Sequence, residues 1–188
     1  MIWLVVGVLL WSGAHLMKSA GLPLRARLVA ALGQAYPAVF ALVILGSIGL
    51  MVLGFRSAVP TAVYATPTWG SAAANGLVFA ALWLFAASAL PSNLKRPIRH
   101  PQLTGMALWA VGHLFSNGDL RALVLFGGLG VWAVASIAFI NRRDGARERP
   151  ASLPLSVEWK PLVAAIAAFT ALYLLHPYIA GVAPTAHF

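Results

Sequence analysis

Long apolar blocks fill most of this chain, divided by short stretches that are polar, basic or rich in proline. A helix needs about 20 mainly apolar residues to cross the roughly 30 Å of hydrocarbon in a bilayer. On that measure the pattern predicts six spans: Ile2 to about Ala20, Ala35 to Phe55, about Ala72 to Leu90, Pro101 to Ser116, Leu120 to Ile140 and Pro161 to Ala180. The fourth is short and is expected to start below the headgroups. Trp11 and His15 interrupt the first block and no small-x-small cleavage site follows, so it is read as a span and not as a signal peptide. Most prolines, Pro23, Pro37, Pro101 and Pro161 among them, fall in connections or at helix starts, where a missing N–H costs little. Pro177 lies inside the last block and is expected to kink or end that helix. Gly46, Gly49, Gly54, Gly127, Gly128 and Gly130 are expected to let helices pack closely.

Composition agrees with this pattern. Of 188 residues, 61% are hydrophobic and 9% are charged, and the mean hydropathy is +0.85. A soluble domain carries about 25% charged residues, so lipid is the solvent this chain requires. The expected fold is an all-α polytopic membrane helix bundle forming one domain over residues 1–188. With no cysteine, disulfides, thiolate metal sites and a cysteine nucleophile are excluded. Only four residues are acidic and none lies in a predicted span, which argues against a carboxylate proton relay.

The net charge of +9 sorts by loop. Eleven basic residues fall on alternate connections, after the first span, before the fourth and before the sixth. The opposite side has only Arg56 and Arg121. Basic loops stay in the cytoplasm, so the N- and C-termini are expected on the non-cytoplasmic side. Because the cations cluster at span ends and form no continuous stripe, nucleic acid is not an expected partner.

Candidate chemistry rests on His15, His113 and His176, each inside a predicted span. An ionisable ring in hydrocarbon needs a partner and is by default a functional candidate. Imidazole is also the commonest metal ligand, and three such rings from three helices could gather a metal or a haem. The plainer alternative is a hydrogen bond between helices, worth about 0.6 kcal/mol. For His176 that alternative is preferred, with Tyr173 or Tyr178 as partner. At a 1.5 Å rise per residue, His15 and His113 lie about 11 Å apart in depth, so joining them needs a strongly tilted ligand axis. Depth alone pairs His113 with His176, and both pairings stay open.

Around these rings, Trp109 and Asn117 are each four residues from His113 and share its helix face. Asn117 or Asp119 is a candidate to orient His113, or the two simply make the turn and cap the fifth helix. His100 and Arg99, with Arg96 and Lys95, are expected at an interface, either as topology anchors or as contacts to an anion such as a haem propionate. His187 lies next to the C-terminal residue and carries no role.

Two stretches are distinctive: Arg99-His100-Pro101-Gln102-Leu103-Thr104-Gly105 with Leu108-Trp109-Ala110-Val111-Gly112-His113-Leu114 and Asn117-Gly118-Asp119-Leu120, and Trp11-Ser12-Gly13-Ala14-His15. In them the chain resembles, over nearly its full length, the NnrU family of bacterial membrane proteins associated with nitrite and nitric oxide metabolism. The 15-cis-zeta-carotene isomerases belong to the same wider group. The resemblance implies a multi-pass protein of the bacterial inner membrane that binds haem b, with His15 and His113 as iron ligands. It implies support of nitrite or nitric oxide reduction, by nitric oxide handling or electron transfer, alongside a redox or reductase partner. The isomerases have a cysteine three residues before the second histidine; this chain has Ala110. A thiolate ligand swap is therefore excluded. A weaker similarity links the Arg-His-Pro motif to isoprenylcysteine methyltransferases, but Leu103 replaces their tyrosine and no paired glutamates follow. Two alternatives remain: a membrane isomerase of a hydrophobic polyene, and a cofactor-free accessory protein.

Overall fold

The computed structural model describes residues 1–181 and 184, and among these every regular element is helical. His187 lies outside the described residues. The helices are α1 (Ile2–Ser19), α2 (Pro23–Leu32), α3 (Tyr36–Ser57), α4 (Gly70–Ala89), α5 (Pro101–Ser116), α6 (Leu120–Ala122), α7 (Gly128–Asp144) and α8 (Trp159–Ala180). A π-helical turn, Leu123–Gly127, joins α6 to α7, so the three run as one rod over Leu120–Asp144.

Five helical stretches are long and apolar enough to cross a membrane. The sixth predicted span, α5, has 16 residues. It nevertheless runs from one end of the bundle to the other. Its start lies by Asn141, which bonds His100, and its end lies by Tyr64, which bonds Asn117. The segment after the first span, read from sequence as a loop, holds α2, started by Pro23 at its first turn. Proline at 177 does not end α8, which continues to Ala180 and closes on Gly181 with φ +78°.

The chain folds up and down. The connections after α1, before α5 and before α8 meet at one end. There Arg143 donates to the Lys18 carbonyl, Arg99 to that of Gly145 and Arg147 to that of Lys95. Glu158 accepts from Ser92 Oγ at 2.9 Å and from the Asn93 amide, fastening the start of α8 to the connection ahead of α5. At the opposite end Val63 and Tyr64 donate to the Gly118 carbonyl, and Leu120 to that of Thr61. The alternate-loop charge pattern is thus a physical separation: the basic connections share one end, while Arg56 and Arg121 belong to the other.

Leu4, Val8, Met51, Leu129, Trp132 and Ala133 form the core where α1, α3 and α7 meet. Close approach depends on small residues. A Cβ on Gly54 would lie 2.2 Å from the Leu4 amide nitrogen, and one on Gly128 2.7 Å from Val8. Gly46 and Gly49 have nothing within 4 Å, so the packing role expected of them is not theirs. The outside is apolar, with Leu42, Val131 and Leu174 each about two-thirds exposed or more (69%, 71% and 65%). Without the hydrogen-bonding side chains that water demands, this surface is a lipid surface, and the molecule is a polytopic membrane helix bundle.

Candidate functional site

His15 and His113 occupy matching local structures. Each is the last residue of a Trp-x-x-x-His sequence, Trp11 to His15 on α1 and Trp109 to His113 on α5. One helical turn brings the members of each pair onto the same face. His15 Nδ1–H donates to the Trp11 carbonyl at 2.9 Å, and His113 Nδ1–H to the Trp109 carbonyl at 2.8 Å. The indole lies against the imidazole in both, with ring centroids 4.4 Å and 4.6 Å apart. A carbonyl only accepts, so Nδ1 carries the proton and Nε2 keeps its lone pair in each neutral ring.

The rod from α6 to α7 supplies a second aromatic wall to each histidine. Phe126, inside the π-helical turn, stacks on His113 at 4.4 Å and 23°. Trp132 meets His15 edge-on at 5.1 Å, and Phe40 of α3 closes the far side at 5.6 Å. Among the described residues the two histidines share no ring partner. Phe126 and Trp132 are six residues apart, about 9 Å along a helix. The side chains offset part of that step. Pairing of Val8 with Gly128 and of Ser19 with Arg143 makes α1 parallel to α7, and pairing of His100 with Asn141 and of Ala110 with Gly130 makes α5 antiparallel to it. Helical side chains lean toward their own N-terminus. His15 and His113 therefore lean toward each other along the bundle axis.

Polar atoms without a protein partner gather beside His15. The Nε1 atoms of Trp11 and Trp132 and the hydroxyls of Ser12 and Ser136 are buried and make no hydrogen bond. Ser136 is fully buried, one turn beyond Trp132. A ring nitrogen with a free lone pair among unsatisfied donors is a setting that accepts a bound polar or metal-bearing group, and it fits the nitrogen donor set of a haem. Among the described residues no three His, Cys, Asp or Glu side chains converge, so a three-histidine centre is not built. His176 lies close enough to His113 for the two to interact electrostatically.

The other expected residues sort by position. Trp109 packs on both His113 and Phe126. Asn117 Nδ2 donates to the carbonyl of His113 at 2.8 Å and so braces its backbone instead of its ring. Asp119 caps α6 through the Ala122 amide and pairs with Arg121, the turn-and-cap role. Arg99 and His100 stand at the opposite end of α5, about 20 Å of helix from His113, and line a separate basic pocket. Sequence reasoning missed Phe126, Trp132, Phe40 and Ser136; a turn of Leu, Val, Phe and Gly carries no mark of its π-helical form.

Comparison with known families now decides membership. The NnrU protein family model matches residues 3–184, nearly the whole chain. The chain belongs to the NnrU family. No curated protein and no solved structure gave a match. The NnrU match spans both tryptophan–histidine pairs and the rod between them. In this NnrU protein the position of the isomerases' cysteine is Ala110, which is 1% exposed and faces Gly130, whose Cβ would approach it to 3.2 Å. The site has little room there for a larger side chain.

Proposed function

We propose that this NnrU-family protein holds haem b through His15 and His113 and supports nitrite or nitric oxide reduction by electron transfer or nitric oxide handling. The observation that carries this reading is the shared geometry of the two pairs. Each fixes Nδ1–H on a backbone carbonyl and leaves Nε2 as the ligand atom. When bound, haem b supplies one-electron chemistry and a gas-binding iron. The chain's own part is to orient. Trp11 and Trp109 hold each imidazole by one face, while Phe126 and Trp132 set the distance between the walls. Asn117 fixes the backbone from which His113 projects, and the apolar surroundings exclude water. The end bearing eleven basic residues faces the cytoplasm of a bacterial inner membrane. Both termini then lie outside, and a redox or reductase partner docks at either face.

An optical spectrum of the detergent-purified protein, expressed with ample haem, tests the reading. A Soret band is expected, lost in His15→Ala and in His113→Ala and kept in His176→Ala. A colourless wild type refutes haem binding, and loss in His176→Ala with retention in His15→Ala reassigns the second ligand. A second reading, an isomerase of a hydrophobic polyene, is favoured by a groove of about 510 Å³ between α5 and α7. Its lining is apolar, with Ala107, Ala110, Val111, Leu114, Phe126 and Gly130, and Phe126 joins it to His113. Conversion of a cis-polyene by the haem-loaded protein would select that reading.

A further inference from the structure

At the basic end of the bundle a pocket of about 390 Å³ opens between the connection ahead of α5 and the one ahead of α8. Ser88, Lys95, Arg99, His100, Gln102 and Arg147 line it. Its cations are held by neutral oxygens. Arg99 Nη1 donates to the Gly145 carbonyl at 2.6 Å, Arg147 Nη2 to that of Lys95, and His100 Nε2 to Asn141 Oδ1 at 3.0 Å. Among the described residues none of Lys95, Arg99 and Arg147 belongs to an ion pair; the two ion pairs are Arg121–Asp119 and Arg143–Asp144. The nearest acids are already committed. Asp144 is held by Arg143 at 2.7 Å, though its charge reaches Arg99 and His100, and Glu158 is taken by Ser92 and Asn93. Three half-buried cations are thus gathered around one cavity without a carboxylate of their own.

A topology anchor needs only charge near the interface, and exposed side chains satisfy it. Here two chain segments distant in sequence are tied together so that their cations line one concavity. Backbone carbonyls restrict the guanidinium orientations while leaving further N–H groups uncommitted. The floor is the first turn of α5, where Gln102 and Leu103 line the pocket, and where a helix presents unpaired N–H groups and the positive end of its dipole. Arginine forks, an ammonium and a helix start together suit a tetrahedral oxyanion.

We infer that the Lys95–Arg99–Arg147 pocket is a phosphate-binding site, taking the phosphodiester of an acidic phospholipid or free phosphate. It lies at the other end of α5 from His113 and does not depend on haem. The probes are phosphatidylglycerol added to the detergent-purified full chain, followed by native mass spectrometry, and inorganic phosphate followed by thermal shift. Wild type is expected to retain at least one probe, with affinity falling about tenfold or more in Arg99→Gln/Arg147→Gln. The control Arg142→Gln/Arg149→Gln removes the same charge from exposed positions and is expected to bind within about twofold of wild type. Lys95→Gln, whose ammonium makes no bond to the protein, covers the case in which the double variant does not fold, and it too weakens binding. Binding of phosphatidylglycerol that millimolar phosphate does not displace assigns the lipid as source, whereas binding of phosphate alone assigns the free anion. No binding of either probe by wild type, or equal losses in pocket and control variants, overturns the inference.

Discussion

Gly54→Ala and Gly46→Ala make the same chemical change eight residues apart on one helix, α3, and should move stability in opposite directions. At Gly46 a Cβ meets nothing within 4 Å, so alanine adds helix propensity, up to about 1 kcal/mol, at no steric cost. At Gly54 the Cβ would lie 2.2 Å from the Leu4 nitrogen and 2.6 Å from its Cα. Those are backbone atoms, so no rotamer change relieves the contact and α1 must move by about 1 Å. Leu4 is fully buried in the cluster that includes Trp132, so the shift spreads into the core. Overpacking of this kind costs about 1–3 kcal/mol. After the propensity gain, a net loss of about 1–2 kcal/mol remains, which for a chain of this size lowers the melting temperature by about 2–8 °C. Thermal unfolding in one detergent, followed by circular dichroism, reads both variants. A Gly54→Ala protein that melts at or above the Gly46→Ala protein would refute the reasoning that α1 and α3 touch backbone to backbone.

Two further outcomes concern the ends of the bundle. Partial burial pushes the Tyr64 phenol above its ordinary range, and the Asp119 carboxylate adds to the push. Because the folded state holds that proton more tightly, the stability it contributes is complete below about pH 10 and is lost as pH rises through the raised value. Melting measured between pH 8 and pH 11.5 should fall more steeply in wild type than in Tyr64→Phe; parallel curves would disprove it. Glu158→Ala removes two bonds to a carboxylate, from Ser92 and Asn93, and should lower stability by about 1.5–3 kcal/mol. Limited proteolysis should then cut the segment between α7 and α8 sooner than in wild type.

The span pattern was legible because hydrocarbon imposes one rule along the whole chain: apolar blocks of fixed length with charge at their ends. It yielded the membrane bundle and the grouping of basic connections. It failed at α2, where Arg25 and Arg27 disguise a helix whose start Pro23 marks. The two histidines were legible as polar exceptions in apolar blocks, and the tryptophans one turn before them were present in the quoted motifs. Their environment was not. Phe126, Trp132 and Phe40 are ordinary apolar residues, and what makes them walls is the rotation of the rod that carries them. Arg99 and His100 were grouped with the histidine site by nearness in sequence, and the length of α5 separates them in space.

The π-helical turn at Leu123–Gly127 has a consequence for how this site tolerates change. Such a turn accommodates one residue more than the α-helical turn it replaces. Phe126 lies within it and Trp132 beyond it, so the extra residue sets the angular register between the two imidazole walls. A single-residue deletion there would restore regular winding and rotate everything downstream by about 100°. The arrangement is therefore more vulnerable to one lost codon than to most substitutions in the same stretch.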